Sequence, residues 1–486
     1  MDVSPNTNQP PPLQDYNLLT SDRALLDALE RAAPALDRTE LSQLGALAGD
    51  PGTIELGFDA NRNTPELHTH DRFGERIDEV HFHPAYHALM CVAVTSGLHA
   101  APWVEKEPNA HLRRAAKFFV WSQVEGGHLC PISMTYAAVP ALEQAPLLAP
   151  AWIGKLAARC YDPRLVPVAE KEAALVGMGM TERQGGSDVR SNQTRAQRAG
   201  DDGEYVIEGA KWFCSAPMSD AFLILAQADE GLSCFLVPRV LPDGTRNPFA
   251  IQRLKDKLGN RSNASSEVEF HGTHGWLVGE PGHGVQTIVN MVNATRLDCI
   301  IGSAALLRAA LAQAIHHATY RRAFGALLID HVLMQNVLAD LALESEAATA
   351  LFVRLAQAVD DAPYSAQAAA LRRIGTAVGK YYVCKRAPAV VGEALECLGG
   401  NGYVEESIMP RLYREAPLNS IWEGSGNINA LDVLRILQKQ PAAVEALYEE
   451  LAPALRDPRI AAAARKLRDY LADEDVEWRA RALVER

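Results

Sequence analysis

A change of texture in the middle of the chain most constrains its fold. Between about residues 170 and 285, short β-prone runs alternate with Gly, Asp and Asn turns. The runs are Tyr205-Val206-Ile207, Phe222-Leu223-Ile224-Leu225, Cys234-Phe235-Leu236-Val237 and Glu267-Val268-Glu269-Phe270. On either side the periodicity is helical. Leu25, Leu26, Leu29, Leu36, Leu41 and Leu44 follow roughly helical spacing, and long Ala/Leu stretches fill 286–440. Residues 80–165 are Ala-, Leu- and aromatic-rich, and Pro102, Pro108 and Pro131 are expected to break them into several helices. Residues 49–78 read as polar and turn-rich. The order predicts an α+β chain: an extended arm over 1–20, an N-terminal helical domain over 21–168, a central β-domain over 169–285, a C-terminal helical region over 286–440 and a partial helical extension over 441–486.

Bulk properties narrow the function. A net charge of −13 gives no overall attraction for nucleic acid or anionic membrane. The eight cysteines are scattered without a C-x-x-C pair, which suggests reduced thiols in a cytoplasmic protein and neither a zinc site nor a disulfide framework. The first twelve residues lack a basic-then-apolar signal, and no run approaches the roughly 18 apolar residues of a membrane span. His68, His70, His81, His83 and His87 have spacings that suit metal binding, but no metal is expected.

Two stretches carry candidate chemistry. In Asn419-Ser420-Ile421-Trp422-Glu423-Gly424-Ser425-Gly426-Asn427, one carboxylate stands between an apolar run and a turn of small residues. Apolar neighbours desolvate an acid, raise its pKa and suit it to proton abstraction near neutral pH. Gly424 and Gly426 allow close approach of a flat ligand. The second stretch runs from Gly177 through Met178, Gly179, Met180, Thr181, Gly185, Gly186 and Ser187 to Asp188. It reads as a strand entering a Gly-rich loop whose amides and hydroxyls suit electron-rich heteroatoms or phosphate. It is neither a Walker loop nor the dinucleotide fingerprint. Downstream, Lys211-Trp212-Phe213-Cys214-Ser215 pairs two aromatics with a hydroxyl, although Trp212 alone reads equally as a core residue.

Together these stretches resemble the acyl-CoA dehydrogenase family of flavoproteins. Five motifs occur in family order over about 250 residues: Thr181-Glu182 to Asp188, Lys211-Trp212 to Ser215, Arg321 to Phe324-Gly325, Gly399-Gly400-Asn401-Gly402-Tyr403, and Glu423-Gly424-Ser425. The wording around 180–189, 253–264 and 419–427 is similar to the branch tied to the bacterial adaptive response to DNA alkylation. The resemblance implies a central β-barrel-like domain, a C-terminal four-helix bundle, and FAD lying where sheet meets bundle. It implies α,β-dehydrogenation of an acyl thioester, with Glu423 as base and its own N–H polarising the thioester carbonyl. Some relatives carry the base on another helix, where Thr295 and Arg296 here offer no carboxylate and Asp298 lies nearby.

By the same resemblance, Met178, Gly179, Met180, Thr181, Gly185, Gly186 and Ser187 wrap the flavin ring. Trp212 and Phe213 pack on its face, and Ser215 meets the N5 region. Ile421, Trp422, Gly424, Ser425, Asn427 and Asn429 cover the other side and the ribityl-phosphate. Arg321, Phe324, Gly399 and Gly400 meet the pyrophosphate or adenine across a subunit boundary, which implies a homo-oligomer, a tetramer. Glu396 stands where many relatives have Gln, which puts the adenosine contact in doubt. Arg435 is placed near the active site, with a salt bridge to Asp432 as its other reading.

The expected small-molecule partner is an acyl-CoA, with weak turnover of isovaleryl-CoA-type substrates. One alternative is a DNA-binding flavoprotein that protects DNA from alkylating agents, and another is an acyl-CoA oxidase. Residues 441–486 hold eight Lys/Arg against ten Asp/Glu and the chain stops early for that branch, both of which weaken the DNA reading.

Overall fold

The computed structural model describes residues 8–200, 203–471 and 476–486. The first seven residues of the expected arm, residues 201–202 of the β-domain and 472–475 of the extension lie outside that range. In chain order the longer elements are α1 (Arg23–Ala32), α2 (Thr39–Ala48), α3 (Pro51–Arg62), β1 (Glu66–His70), β2 (Arg76–His81), α4 (Pro84–Thr95), α5 (Ala101–Glu105), α6 (Ala110–Ser122), α7 (Leu129–Leu142) and α8 (Ala149–Leu156). The strands β3 (Val176–Gly179), β4 (Arg195–Arg198), β5 (Glu204–Ser215), β6 (Ala221–Ala228), β7 (Gly231–Pro238), β8 (Phe249–Leu254) and β9 (Ser265–Val278) follow. Helices then return as α9 (Gly284–Tyr320), α10 (Val332–Asp361), α11 (Ala366–Cys397), α12 (Gly400–Tyr403), α13 (Met409–Glu415), α14 (Gly426–Lys439), α15 (Pro441–Leu451), α16 (Pro458–Leu471) and α17 (Ala480–Glu485). Helical N- and C-terminal parts thus flank a central β-domain, as the texture predicts.

Two expectations differ from what is seen. Residues 49–78 are not merely turn-rich: they hold α3 and the antiparallel β1–β2 pair, in which Glu66 faces His81 and Leu67 faces Val80. The strands alternate polar and half-buried positions, and only Val80 and Asp78 of β2 are buried, so the apolar signal was thin. His68 stacks on His81 with ring centroids 4.1 Å apart. The several helices expected over 80–165 are present as α4 to α8, but Pro102 and Pro131 do not lie between them. They lie in the first turns of α5 and α7, where an amide has no helical partner to lose.

The chain divides into two compact units that do not follow chain order. One comprises residues 52–107 and 124–295. Its sheet runs β3-β6-β4-β5-β9-β7, and β7 also pairs with β6, so five of the strands close into a barrel. Strand β6 shows why the chain folds so: Phe222, Ile224 and Ala226 join one core with Phe235, Val237, Phe249, Ile251, Val268 and Phe270. The intervening Leu223 and Leu225 join a second core with Ala137, Leu142 and Leu156 of α7 and α8. A strand buried on both faces reads as an unbroken apolar run, which Ala221–Ala226 is.

The other unit comprises residues up to 51, 108–123 and 296 onward. Its helices α11, α14, α15 and α17 share a core of Ile374, Tyr381, Val433, Ile436, Ala443, Leu483 and Val484. Helix α6 joins it through Asp360 of α10, whose carboxylate accepts the backbone N–H groups of His111 and Leu112 at 3.0 and 2.9 Å. Among the described residues, α9 is the one helix long and apolar enough to cross a membrane, but two-thirds of its apolar window is buried, as in a core helix.

Candidate functional site

The candidate residues fall in both units. In the barrel unit, β3 ends at Gly179, and the loop through Ser187 is closed by reciprocal backbone bonds between Glu182 and Gly185, 3.2 and 3.1 Å. Its glycines have packing reasons. A Cβ on Gly177 would lie 2.4 Å from the Phe222 ring, one on Gly179 2.8 Å from Cys214 Sγ, and one on Gly186 2.4 Å from Thr181 Oγ1. Met178, Met180 and Thr181 are half-buried, whereas Ser187 is exposed.

Two residues of the motifs turn out to serve each other. Glu182, 4% exposed, accepts from Lys211 Nζ at 2.7 Å and from the amides of Gln193 and Thr194 at 2.6 and 3.2 Å. Lys211 also donates to the Leu225 carbonyl at 2.7 Å. Burial raises the Glu182 pKa, but the Lys211 charge and the donated hydrogen bonds outweigh it and hold the carboxyl at about 2. The Trp212 amide donates to the Thr181 carbonyl at 2.8 Å, so the aromatic pair is keyed to the loop. Lys255 Nζ lies 3.5 Å from the Trp212 ring centroid, Phe213 is 47% exposed, and Ser215 Oγ meets Ser265 Oγ at 3.1 Å.

In the helical unit the stretch around Glu423 is a turn entering α14. Glu423 and Gly424 take φ +56° and +95°, two consecutive left-handed residues. For a non-glycine this costs roughly 1–2 kcal/mol, so something must hold it. The holders are side chains that capture its carbonyls. Arg296 Nε of α9 donates to Glu423 O at 3.0 Å. Lys380 Nζ of α11 donates to Gly424 O at 3.0 Å. Asn429 Nδ2 donates to Gly424 O and Ser425 O at 2.7 and 3.0 Å. Glu423 and Trp422 are half-buried, Ile421 is exposed, and Asn427 is exposed on the first turn of α14, for which Ser425 is the N-cap. Trp422 Nε1 donates to Asn419 Oδ1 at 2.9 Å, and Asn419 in turn to Ser303 of α9.

Behind this turn lies Asp432, 6% exposed. It accepts from Arg296 Nη1 at 2.7 Å and from Arg373 Nη1 and Nη2 at 3.0 and 2.7 Å. Burial opposes its charge, but the hydrogen bonds and charges of Arg373 and Arg296 prevail and lower its pKa. From sequence, Arg296 stands out only for offering no carboxylate and Asp432 only as a salt-bridge partner of Arg435, and nothing there singles out Lys380 or Arg373. The available signal was a lone charge within an apolar helical run, as in Val378-Gly379-Lys380-Tyr381 and Leu431-Asp432-Val433. Arg435 makes the salt bridge to Asp432, 3.6 Å, with a side chain 64% exposed. Asp298 is engaged elsewhere, its carboxylate held by both Nη atoms of buried Arg114.

The remaining candidates of this unit gather with the N-terminal arm. Arg321 Nη1 donates to Asn8 O at 2.7 Å, and Asn401 Nδ2 to Gln9 Oε1 at 2.8 Å. Phe324 is 98% exposed at φ +50°, and Gly399, at φ +59°, precedes Gly400 at the start of α12.

The fold and these residues define a flavoprotein-type oxidoreductase. Residues 177–273 match the acyl-CoA dehydrogenase middle domain, 282–438 its C-terminal domain, and 8–163 the adaptive response protein AidB N-terminal domain. The chain is 51% identical over 445 residues to AidB of Escherichia coli (strain K12), a protein assigned to the acyl-CoA dehydrogenases, covering 91% of this chain and 82% of that one. The Caenorhabditis elegans ACDH-11 structure, solved with C11-CoA, superposes with a TM-score of 0.90 at 26% identity, covering all of this chain and 88% of that one. The apo form of Bd2924 gives 0.89 at 30% identity, covering 98% and 96%. The chain belongs to the acyl-CoA dehydrogenase family, in its AidB branch.

Proposed function

We propose that this protein is an FAD-dependent enzyme that removes hydrogen from the α and β carbons of an acyl-CoA, with Glu423 as the base. Bound FAD supplies the acceptor for the β-hydride. The observation that carries the reading is the Glu423 turn: a half-buried carboxylate on a strained backbone whose carbonyls are each fixed by a side chain. A base held in this way abstracts a proton from a defined position and typically contributes on the order of 10²–10⁴ in rate. Asp298, the other nearby acid, is sequestered by Arg114, which supports Glu423 as sole base.

The residues present fit FAD. Trp212 and the half-exposed Phe213 offer aromatic surface for a flat ring. Met178 to Ser187 offer small residues, amides and hydroxyls for its edge. Asn429 keeps a buried Oδ1 with no hydrogen-bond partner beside the turn, and Ser425 and Asn427 add polar groups at the start of α14. Arg321 supplies positive charge for a pyrophosphate, with Phe324, Gly399 and Gly400 around it, in a homotetramer by family resemblance. Ser215 already shares its hydroxyl with Ser265, so its part toward N5 depends on a bond that both can make. Arg435, exposed and tied to Asp432, is assigned to substrate or to the surface by the variant described in the Discussion.

The test is anaerobic mixing of the yellow holoprotein with acyl-CoA thioesters from isovaleryl-CoA to an eleven-carbon chain. Loss of flavin absorbance with one chain class, abolished in Glu423→Gln, is expected. No loss with any thioester while FAD stays bound would move the weight to the DNA-protective reading. Peroxide release under air would assign an oxidase instead.

A further inference from the structure

We propose that Asp432 is a positioning residue for the base: by binding Arg296 it holds the Glu423 peptide in the left-handed turn from which the carboxylate works. The inference rests on the reading of Glu423 as base. One guanidinium joins the two, with Nε 3.0 Å from Glu423 O and Nη1 2.7 Å from Asp432 Oδ2. The planar fork of arginine fixes the angle between those two bonds, so the position of the carboxylate sets the position of the peptide. Arg296, 8% exposed, lies in the first half of α9, and its orientation depends on what its far nitrogen meets. Arg373 locks Asp432 from α11 through two bonds, which removes the carboxylate's freedom to rotate away. Lys380 and Asn429 fix the next carbonyl, so an error at Glu423 O cannot be relaxed along the turn. Helices α9, α11 and α14 each contribute to this clamp, and Asp432 is the residue that they share.

In the step concerned, the α C–H bond breaks, the electron pair stays on the thioester as an enolate, and the proton moves to Glu423. In D2O its return as deuterium labels the α carbon without any net oxidation. The holoenzyme would be incubated anaerobically in D2O with the thioester that bleaches it best, and α-deuterium read by mass spectrometry. Wild type is expected to exchange and Glu423→Gln not to. Asp432→Asn and Arg296→Lys are expected to slow exchange about 100-fold, the cost of misplacing a reacting group by roughly 1 Å. FAD content and thioester Kd are expected to stay within about two-fold. Arg354→Met, which breaks the Arg354–Glu450 pair of the same unit without touching the turn, serves as the control at wild-type rate. Exchange at wild-type rate in both Asp432→Asn and Arg296→Lys, or loss no greater than in Arg354→Met, would overturn the inference. Should Asp432→Asn not fold, Arg296→Lys decides alone. Exchange persisting in Glu423→Gln would instead overturn the base reading, and this inference with it.

Discussion

Glu182 and Glu423 each follow a short hydrophobic run and each head a motif of small residues, yet the two loops use their carboxylates in opposite ways. In the barrel unit the side chain of Glu182 is the anchor: it is buried against Lys211 and two amides, and it leaves the amides and hydroxyls of the rest of the loop for a ligand. In the helical unit the main chain of Glu423 is what is anchored, by Arg296, Lys380 and Asn429, while a half-buried side chain is left as the proposed base. The lesson is that a carboxylate's role follows from which part of the residue is fixed. A motif that conserves spacing alone does not distinguish the two.

The largest effect that would break this contrast is on rate. Glu423→Gln should lower flavin reduction by acyl-CoA by a factor of 10² to 10⁴, by the usual worth of a positioned base, with stability changed little. Glu182→Gln should do the reverse. Removing one partner of a buried pair costs about 3–5 kcal/mol, which urea unfolding of the apoprotein would show, and any rate loss should track lost folded protein. If Glu182→Gln were stable but inactive, the assignment of roles would have to be exchanged.

The pH dependence sharpens the same point. The folded Glu182 carboxyl sits at about 2, against 4.5 unperturbed. A depressed carboxyl contributes stability above its unfolded pKa and loses it as the proton binds. Stability should therefore be fully present above about 4.5 and fall as pH drops from there toward 2. Comparison of wild type with a Glu182→Gln/Lys211→Met double variant isolates it: the double variant should show a shallower loss over that window.

Smaller effects follow from backbone geometry. Gly177→Ala places a methyl group into the Phe222 ring and should cost about 1–3 kcal/mol of stability. Gly424→Ala, at φ +95°, should cost about 1–2 kcal/mol and slow flavin reduction as well, because the strain falls in the base's own turn. The smallest change is expected from Arg435→Ala. Its exposed 3.6 Å contact is worth under about 1 kcal/mol, and its rate loss should be well below that of Arg296→Lys. A larger loss would place Arg435 at the substrate.

Much of this molecule was legible in the linear chain. Local hydrophobic period is a property of neighbours, so the apolar run of β6, the leucine spacing of α1 and α2 and the Gly-bounded turns announced helices, a β-domain and helices in order. Motif spacing carried the family, the candidate base and the flavin loop for the same reason. The hairpin at β1–β2 was not legible because it alternates polar with half-buried residues. What only the tertiary structure decided were the partnerships across long separations. Glu182 meets Lys211 twenty-nine residues on, and Arg296 reaches Glu423 and Asp432 across 127 and 136 residues. A single arginine or lysine in an apolar helix announces a buried charge, but not the carbonyl or carboxylate that neutralises it. That choice is made when α9, α11 and α14 come together, because a buried charge must find its partner among whatever the fold brings within about 3 Å.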